Sequence, residues 1–421
     1  MVTSLVLFVC ASLAQGEPVD PATLQTRVNR LVRQLDSNSL AERVAAEQAL
    51  VELGPRALEL LPAVTPRTSA EVKDRLGRVR TVLEKRAAEQ AAEASVVTLE
   101  GEMTLAAALA ALEKQTGNRV TGLRSDNEAT QVKVDFKDAP FWQALDSLLD
   151  QANLTINTFG GTPNALTVMA APEGQRPRSE GAAYQGVFRF DPLRIEAVRN
   201  LRNPDVQQMR LTLEVSWEPR VTPLSLEQPL DALTATSTEG NRLAIDNSRG
   251  SLTASTNADI ASVELEIPFE LPGRDVKEIA SLQGSVSALI PGLTETYVFD
   301  NLQARGVENR KAGVTVVFDQ MRKNQDLYEV RIRVRLDQAN DALASHLAAW
   351  IFSNEAHLQD AAGKQIESVG REGYLQAANE AGVVYRFDLE EAPTGYKFVY
   401  KTPAAIVKTP VEYELKNIPL P

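Results

Sequence analysis

The sequence predicts a multidomain α+β protein: an N-terminal helical repeat-like unit, a small βαββαββ domain and two C-terminal antiparallel β-sandwich domains. Three observations carry this expectation. Apolar residues recur at three- and four-residue steps up to about residue 93, strands alternate with helices between residues 96 and 171, and the periodic runs after a Gly/Pro/Arg/Ser-rich stretch alternate with period two. The length of 421 residues also exceeds what one core serves, at roughly 100–200 residues per domain. The expected boundaries are 1–15 for a signal peptide, 23–93, 96–171, a linker at 172–182, and then 183–305 and 306–421.

The chain opens on a short apolar run, Leu5 to Ala14, that ends Ser12-Leu13-Ala14-Gln15 with small residues where a signal peptidase reads. This predicts export, with a mature chain beginning near Gln15. No Lys or Arg precedes the run, and it is too short to cross a bilayer, which takes about 20 apolar residues. Cys10, the sole cysteine, lies inside it, so cleavage leaves no thiol for a disulfide, a zinc site or a nucleophile. Val9 does not fit the small residue that a lipobox needs before its cysteine.

From Thr23, Val28, Leu31, Val32 and Leu35 mark one apolar helix face. Ser39 with Glu42 reads as a capping box for a helix reaching Leu53, and Gly54 as its left-handed terminator. Pro55 then suits the first turn of another helix through Ala57, Leu58 and Leu61. Thr68 with Glu71 repeats the capping signature ahead of a long charged helix that ends before Ser95. The Leu40–Leu61 pattern resembles a HEAT-type helical repeat over little more than one unit, and such repeats are binding scaffolds. A small helical bundle that only packs fits the same pattern.

A strand around Val97 precedes a helix capped by Thr104, carrying Leu105, Leu109 and Leu112 and ended by Gly117. A strand near Val120 follows. Val132, Val134 and Phe136 alternate with Lys133 and Asp135, as in a strand with one buried face. Asp138 and Pro140 start a helix whose Phe141, Leu145, Leu148 and Leu149 share a stripe, and Leu154–Phe159, Gly160-Gly161 and Ala165–Met169 read as a hairpin. This order, above all Thr104–Val120, Val132–Leu154 and the run Val-Lys-Val-Asp-Phe-Lys-Asp-Ala-Pro, resembles the short N-terminal domain found ahead of secretins and TonB-dependent receptors. The resemblance covers about a fifth of the chain. It implies a periplasmic docking module that contacts partner proteins or further copies of itself. The later segments pattern as neither a secretin pore nor an outer-membrane barrel, so only docking carries over.

After the linker, Leu211, Leu213, Val215 and Trp217 alternate with polar residues, and Ser262–Leu271 does the same. Glu239-Gly240-Asn241 and Pro291-Gly292 read as turns. A second sandwich is expected from about Lys311, with a hairpin of Val314–Phe318 and Leu327–Leu336 about Lys323–Asp326. A short helix is expected within Asp337–Phe352, and Tyr396–Tyr400 and Val411–Leu415 read as two final strands.

Chemistry is sparse in the pattern. A formal charge of -12 disfavours nucleic acid, whose binders carry basic stripes. His346 and His357 form no His-Glu-x-x-His pair, and neither a Gly-x-Ser-x-Gly elbow nor a nucleotide-binding glycine loop is present. No catalytic, cofactor-binding or metal-ligating residue is therefore expected, and no cofactor; the partner-binding residues stay unassigned. Three constellations need weighing. Asp388, Glu390 and Glu391 supply the two acids a glycosidase uses, though they also suit a solvated turn. Asp337 and Asp341 could share a calcium ion but lack the glycine of a calcium loop. Arg331, Arg333 and Arg335 share one strand face, which suits either an anionic envelope polymer or an ordinary wet face that discourages edge pairing.

The expectation is an exported, non-catalytic envelope protein, periplasmic or at the cell surface, that binds envelope proteins as an adaptor or scaffold. No transmembrane segment is expected once the leader is removed. The alternatives are an envelope hydrolase or carbohydrate-active protein with a carboxylate site in the β domains, and a self-associating structural component.

Overall fold

The structure is a computed structural model that describes residues 21–62, 64–65, 67–157, 162–174, 178–179, 181–203, 207–256, 259–336 and 348–421. The expected leader with Cys10, the Gly160-Gly161 turn, His346, Asp337 and Asp341 lie outside the described residues. The chain is mixed α+β, about 23% helix and 48% strand, and divides into two compact units after Arg86. Among the described residues no helix is long and apolar enough to cross a membrane.

In the first unit, α1 (Pro21–Gln34), α2 (Leu40–Glu52), a 3-10 stretch (Pro55–Leu60) and the first turns of α3 (Ala70–Ala92) share one core. Val28, Leu31, Leu50, Leu76, Val79 and Leu83 fill it, at the helical spacing that the sequence shows. Local capping departs from expectation. Ser39 Oγ accepts from the Glu42 amide at 3.5 Å, but the Glu42 carboxylate turns to Ser37 Oγ, so the reciprocal arm of the box is absent. Ser69, not Thr68, stands at the start of α3 and accepts from the Val72 amide, while Thr68 Oγ1 takes the Thr65 amide and Glu71 takes Arg75. Gly54 has φ 77° and an extended ψ of -179°, and the residues after it, Pro55–Leu60, form a 3-10 stretch instead of an α-helix. Buried Arg75 meets Glu47. The hydrogen bond from Arg78, joined by that from Arg75, holds the Glu47 carboxyl below the usual range although burial works the other way.

The second unit begins with β1 (Val96–Thr104), α4 (Leu105–Thr116), β2 (Arg119–Thr121), α5 (Ser125–Glu128), β3 (Gln131–Pro140), α6 (Phe141–Gln151), β4 (Leu154–Asn157) and β5 (Ala165–Ala170). Thr104 Oγ1 caps α4 through the Ala107 amide at 3.3 Å, and Gly117 ends it with φ 74°, both as the sequence predicts. β1 pairs antiparallel with β3, while β5 lies parallel to β2 and antiparallel to β4. Leu105, Leu109, Leu112, Phe141, Leu145 and Leu148 join Val132 and Val134 in the core between helices and strands.

The strands after residue 182 are β6 (Ala183–Gln185), β7 (Phe188–Arg199), β8 (Gln207–Trp217), β9 (Ser225–Pro229), β10 (Thr234–Ser237), β11 (Arg242–Leu243), β12 (Ser251–Ser255) and β13 (Ser262–Phe269). Next come β14 (Glu278–Phe299), β15 (Val307–Lys311), β16 (Val314–Asn324), β17 (Leu327–Leu336), a 3-10 stretch (Ala348–Ser353), β18 (Ala356–Gln359), β19 (Gln365–Glu367), β20 (Gly370–Gln376), β21 (Glu380–Asp388) and β22 (Lys397–Pro419). They form a four-stranded sheet β13-β8-β7-β6, a five-stranded sheet β15-β16-β17-β21-β20, and an eight-stranded sheet whose centre is β14 against β22. The β16–β17 hairpin is the one that the sequence predicts.

The β14–β22 ladder runs from Glu278↔Pro419 to Phe299↔Phe398, a contour of about 70 Å at about 3.3 Å per residue. Two expectations fail here. Pro291-Gly292 is not a turn but lies within β14, and the two expected final strands are one continuous β22. The ladder steps from Pro291↔Ile406 to Leu293↔Ala404, leaving Gly292 and Ala405 between; Ala405 takes φ 51° and gives its amide to Ala312 at 2.8 Å. The prolines of the ladder lie where, among the described residues, no further strand pairs on the other side: β9 and β10 pair with β14 only up to Leu289, and β18 pairs with β22 only over Lys397–Tyr400.

Two cores lie between the sheets. The first joins Phe188, Phe190, Leu213 and Trp217 to Val286, Ile290, Tyr413 and Leu415, and the second joins Phe318, Ile332 and Tyr385 to Tyr297, Phe299 and Phe398. The last residues of β22 thus complete a core that begins near residue 187, so a single cut at 305/306 does not separate the cores. Gly284 is needed at the ladder's close approach, since a Cβ there would lie 2.6 Å from the Tyr413 ring, which itself stacks on Phe190 at 4.4 Å.

Candidate functional site

The densest group of buried ionisable side chains arises from two simple periodicities. On α6, Trp142, Asp146 and Asp150 recur every four residues along a face that borders the stripe of Leu145 and Leu149. On β7, Phe188 and Phe190 enter the first core, which sends Arg189 and Asp191 to the other face; on β8, Leu213, Val215 and Trp217 do the same for Glu214 and Ser216. The register sets Arg189 opposite Ser216 and Asp191 opposite Glu214. Helix α6 covers this polar sheet face, so Asp146, Arg189, Asp191 and Glu214 are each at most 5% exposed.

Arg189 is the hub. It bonds Asp146 Oδ1 at 3.1 Å and Glu214 Oε1 at 2.9 Å, and its guanidinium lies 4.8 Å from the centre of the Trp142 ring. The Trp142 indole donates to the Val187 carbonyl at 2.9 Å, and Tyr184 donates to Asp146 Oδ2 at 2.7 Å. At the rim, Arg178 grips Asp150, and the Ser179 amide donates to Asp191 at 3.2 Å.

The two cations, Arg189 and Arg178, face four carboxylates. Burial opposes the Arg189 charge, yet Asp146, Glu214 and Asp191 together raise its pKa. Burial likewise pushes the Glu214 carboxyl up against the pull of Arg189, and pushes Asp191 up against Ser179 and Arg189. A carboxyl whose folded pKa exceeds its unfolded value favours the fold below the unfolded pKa, an advantage lost as pH rises through the folded one. Glu214 and Asp191 therefore weaken the fold as pH climbs from about 4 toward neutrality. The chain is expected to gain urea resistance on going from pH 7 to pH 5, with part of the gain absent in Asp191→Asn. A variant keeping the whole gain would clear Asp191 as a source.

A second buried junction lies nearby in sequence. Glu218, fully buried, accepts from the Ser95 amide at 2.9 Å, Ser95 Oγ at 2.6 Å, Asn118 Nδ2 at 2.8 Å and Arg220 Nε at 2.7 Å. Asn118 Oδ1 in turn takes the Arg220 amide at 3.1 Å. Both junctions tie residues 95–150 to the strands that follow residue 183. The carboxylates in them all accept hydrogen bonds or ion pairs from within the protein, while Arg189 Nε is buried without a hydrogen-bond partner, and the arrangement suits fastening.

The residues weighed from sequence fall elsewhere. Asp388, Glu390 and Glu391 are all exposed at the end of β21. Arg333 is held by Asp319 at 3.0 Å and Glu380 at 2.9 Å, Arg335 lies 3.7 Å from Glu308, and Arg331 lies 3.8 Å from Glu329 and over the Tyr374 ring. Their face is neutralised by the protein's own acids. Hydrogen bonds from Asn324 and Arg322 hold the Glu329 carboxyl below its usual range. His357 is buried, with Nδ1 3.4 Å from Glu355. Among the described residues no three His, Cys, Asp or Glu side chains converge on a point that could hold a metal ion.

Sequence reasoning missed Trp142, Asp146, Arg189, Glu214, Glu218 and Asn118. The available signal was the four-residue spacing of Trp142, Asp146 and Asp150 beside the leucine stripe. A polar stripe that includes a tryptophan is a poor solvent face. No protein-family model matches this chain, and no curated protein matches its sequence.

Proposed function

We propose that this is an exported, non-catalytic protein of a bacterial cell envelope that acts as a rigid adaptor. In this reading, residues 1–15 are a leader, residues 23–93 are a HEAT-like unit, residues 96–171 are a docking module akin to the short domain ahead of secretins and TonB-dependent receptors, and the two β cores are two sandwich domains serving as a platform. The observation that carries it is the pair of buried junctions around Arg189 and Glu218, which fasten the α/β segment to the strands and spend their ionic chemistry on doing so. A module held this way presents a fixed surface. The outer face of its β1–β3 pair exposes Glu100, Glu102, Lys133, Asp135 and Lys137.

The test is recovery of the C-terminally tagged full chain from envelope extracts of its own cells. The amino terminus is expected near Gln15, and the co-purified proteins are expected to be lost from a Lys133→Glu, Asp135→Lys, Lys137→Glu variant. An unprocessed chain in the cytoplasm would remove export from the reading. Unchanged recovery from the charge-reversed variant would remove docking through this face.

A further inference from the structure

At one end of the first core, the ends of β7 and β8 meet the 271–277 segment and the residues after β22, leaving a cleft of about 240 Å3. Its floor is apolar: Met209, Leu271, Val276 and Leu420 line it. Its remaining charged lining is Arg199, Arg274, Lys277 and the terminal carboxyl of Pro421, with no Asp or Glu side chain among the lining residues. Asp275, the acid within the same turn, folds back over the backbone instead, where a Cβ on Gly273 would meet its Oδ1 at 2.4 Å.

What distinguishes these cations is their convergence on one apolar cleft. The chain carries a net charge of -12, and several of its arginines are spent on carboxylates: Arg75 on Glu47, Arg189 on Asp146 and Glu214, Arg333 on Asp319 and Glu380. Arg199, Arg274 and Lys277 form no ion pair with a described residue, although an acidic chain offers acids in excess. Arg199 is also pinned beside the cleft by a 3.2 Å hydrogen bond to the Pro272 carbonyl. Positive charge concentrated over a low-dielectric wall attracts anions more strongly than the same charges spread in water.

We propose that this cleft binds a small amphiphilic carboxylate, its head between Arg274 and Lys277 and its single chain on the Met209–Leu271–Leu420 floor. The volume is below the usual 300–1,000 Å3 of ligand sites, which limits the chain to one short acyl tail. Methionine suits such a floor, being flexible and polarisable.

Calorimetric titration of the full chain tests it with three probes: decanoate below its micellar range, acetate, and octyl glucoside. Decanoate is expected to bind at one saturable site, at least tenfold more tightly than acetate or octyl glucoside. The exposed-residue variant Arg274→Gln, Lys277→Gln is expected to bind decanoate at least tenfold more weakly, about 1.4 kcal/mol, with an unchanged melting temperature. Absence of saturable decanoate binding, equal affinity in the variant, or equal affinity for either control probe overturns the proposal.

Discussion

Arg189→Met is expected to lower the unfolding free energy by about 3–5 kcal/mol, read from urea denaturation of the full chain at pH 7. The cost does not come from losing an attractive pair, whose Coulomb gain is largely offset by desolvation. It comes from stranding Asp146, Glu214 and Asp191, each at most 5% exposed, with Arg178 at the rim as the remaining cation. The argument separates two variants. Replacing the hub together with its acids, as Arg189→Met, Asp146→Leu, Glu214→Met, should recover most of the loss, because apolar residues of similar volume often replace a buried ion group at little cost. Arg189→Lys should fall between, since an ammonium cannot fork to Asp146 and Glu214 at once. Losses under about 1 kcal/mol for Arg189→Met would mean that water reaches the cluster and that it fastens nothing. The loss should also shrink as pH falls toward 5, where the stranded carboxyls can protonate.

The contrast between what could be read from sequence and what could not follows the range of the interactions. Thr104, Gly117 and the Lys323–Asp326 turn were legible because a cap or a hairpin is decided within four or five residues. The capping register at Thr68 and Ser69 was ambiguous for the same reason: adjacent hydroxyls offer the same chemistry, and the loop geometry decides which one reaches the helix amide. The β14–β22 ladder was hidden because its partners are far apart, about 100 residues at Phe299↔Phe398 and about 140 at Glu278↔Pro419, and because Pro291-Gly292 is locally a turn signal. Proline there lies where, among the described residues, no further strand pairs on the other side, and edges are a property of the assembled sheet. The buried ionic site was hidden by a different ambiguity. Alternation at 188–191 and 213–217 assigns side chains to two faces but does not say whether a further layer covers the polar one. Arg189, Asp191 and Glu214 therefore read like Arg331, Arg333 and Arg335, yet the first set lies under α6 and the second faces its own acids nearer to solvent.

The long ladder gives the second large prediction. Phe398, fully buried, sits on β22 with its ring 6.5 Å from Phe299, 6.2 Å from Phe318, 6.0 Å from Tyr385 and 6.3 Å from Phe387. Phe398→Ala opens a cavity among four aromatic rings that cannot collapse together, and truncations of this kind cost about 3–5 kcal/mol. The consequence should not stay local. β14 and β22 leave the second core and enter the first without an intervening loop, so Tyr413 and Leu415 in the first core hang on the same backbone ladder as Phe398. Opening of the second core then removes one wall of the first, and the two should unfold as one cooperative body. Native-state hydrogen exchange measures this directly. In Phe398→Ala the slowest amides of β7 and β8 are expected to lose protection to the same degree as those of β16 and β17, a hundredfold or more at about 1.4 kcal/mol per factor of ten. If β7 and β8 keep wild-type protection while β16 and β17 lose theirs, the strand pair is a hinge between independent cores. A hinge would also remove the stiffness that the proposed adaptor role requires.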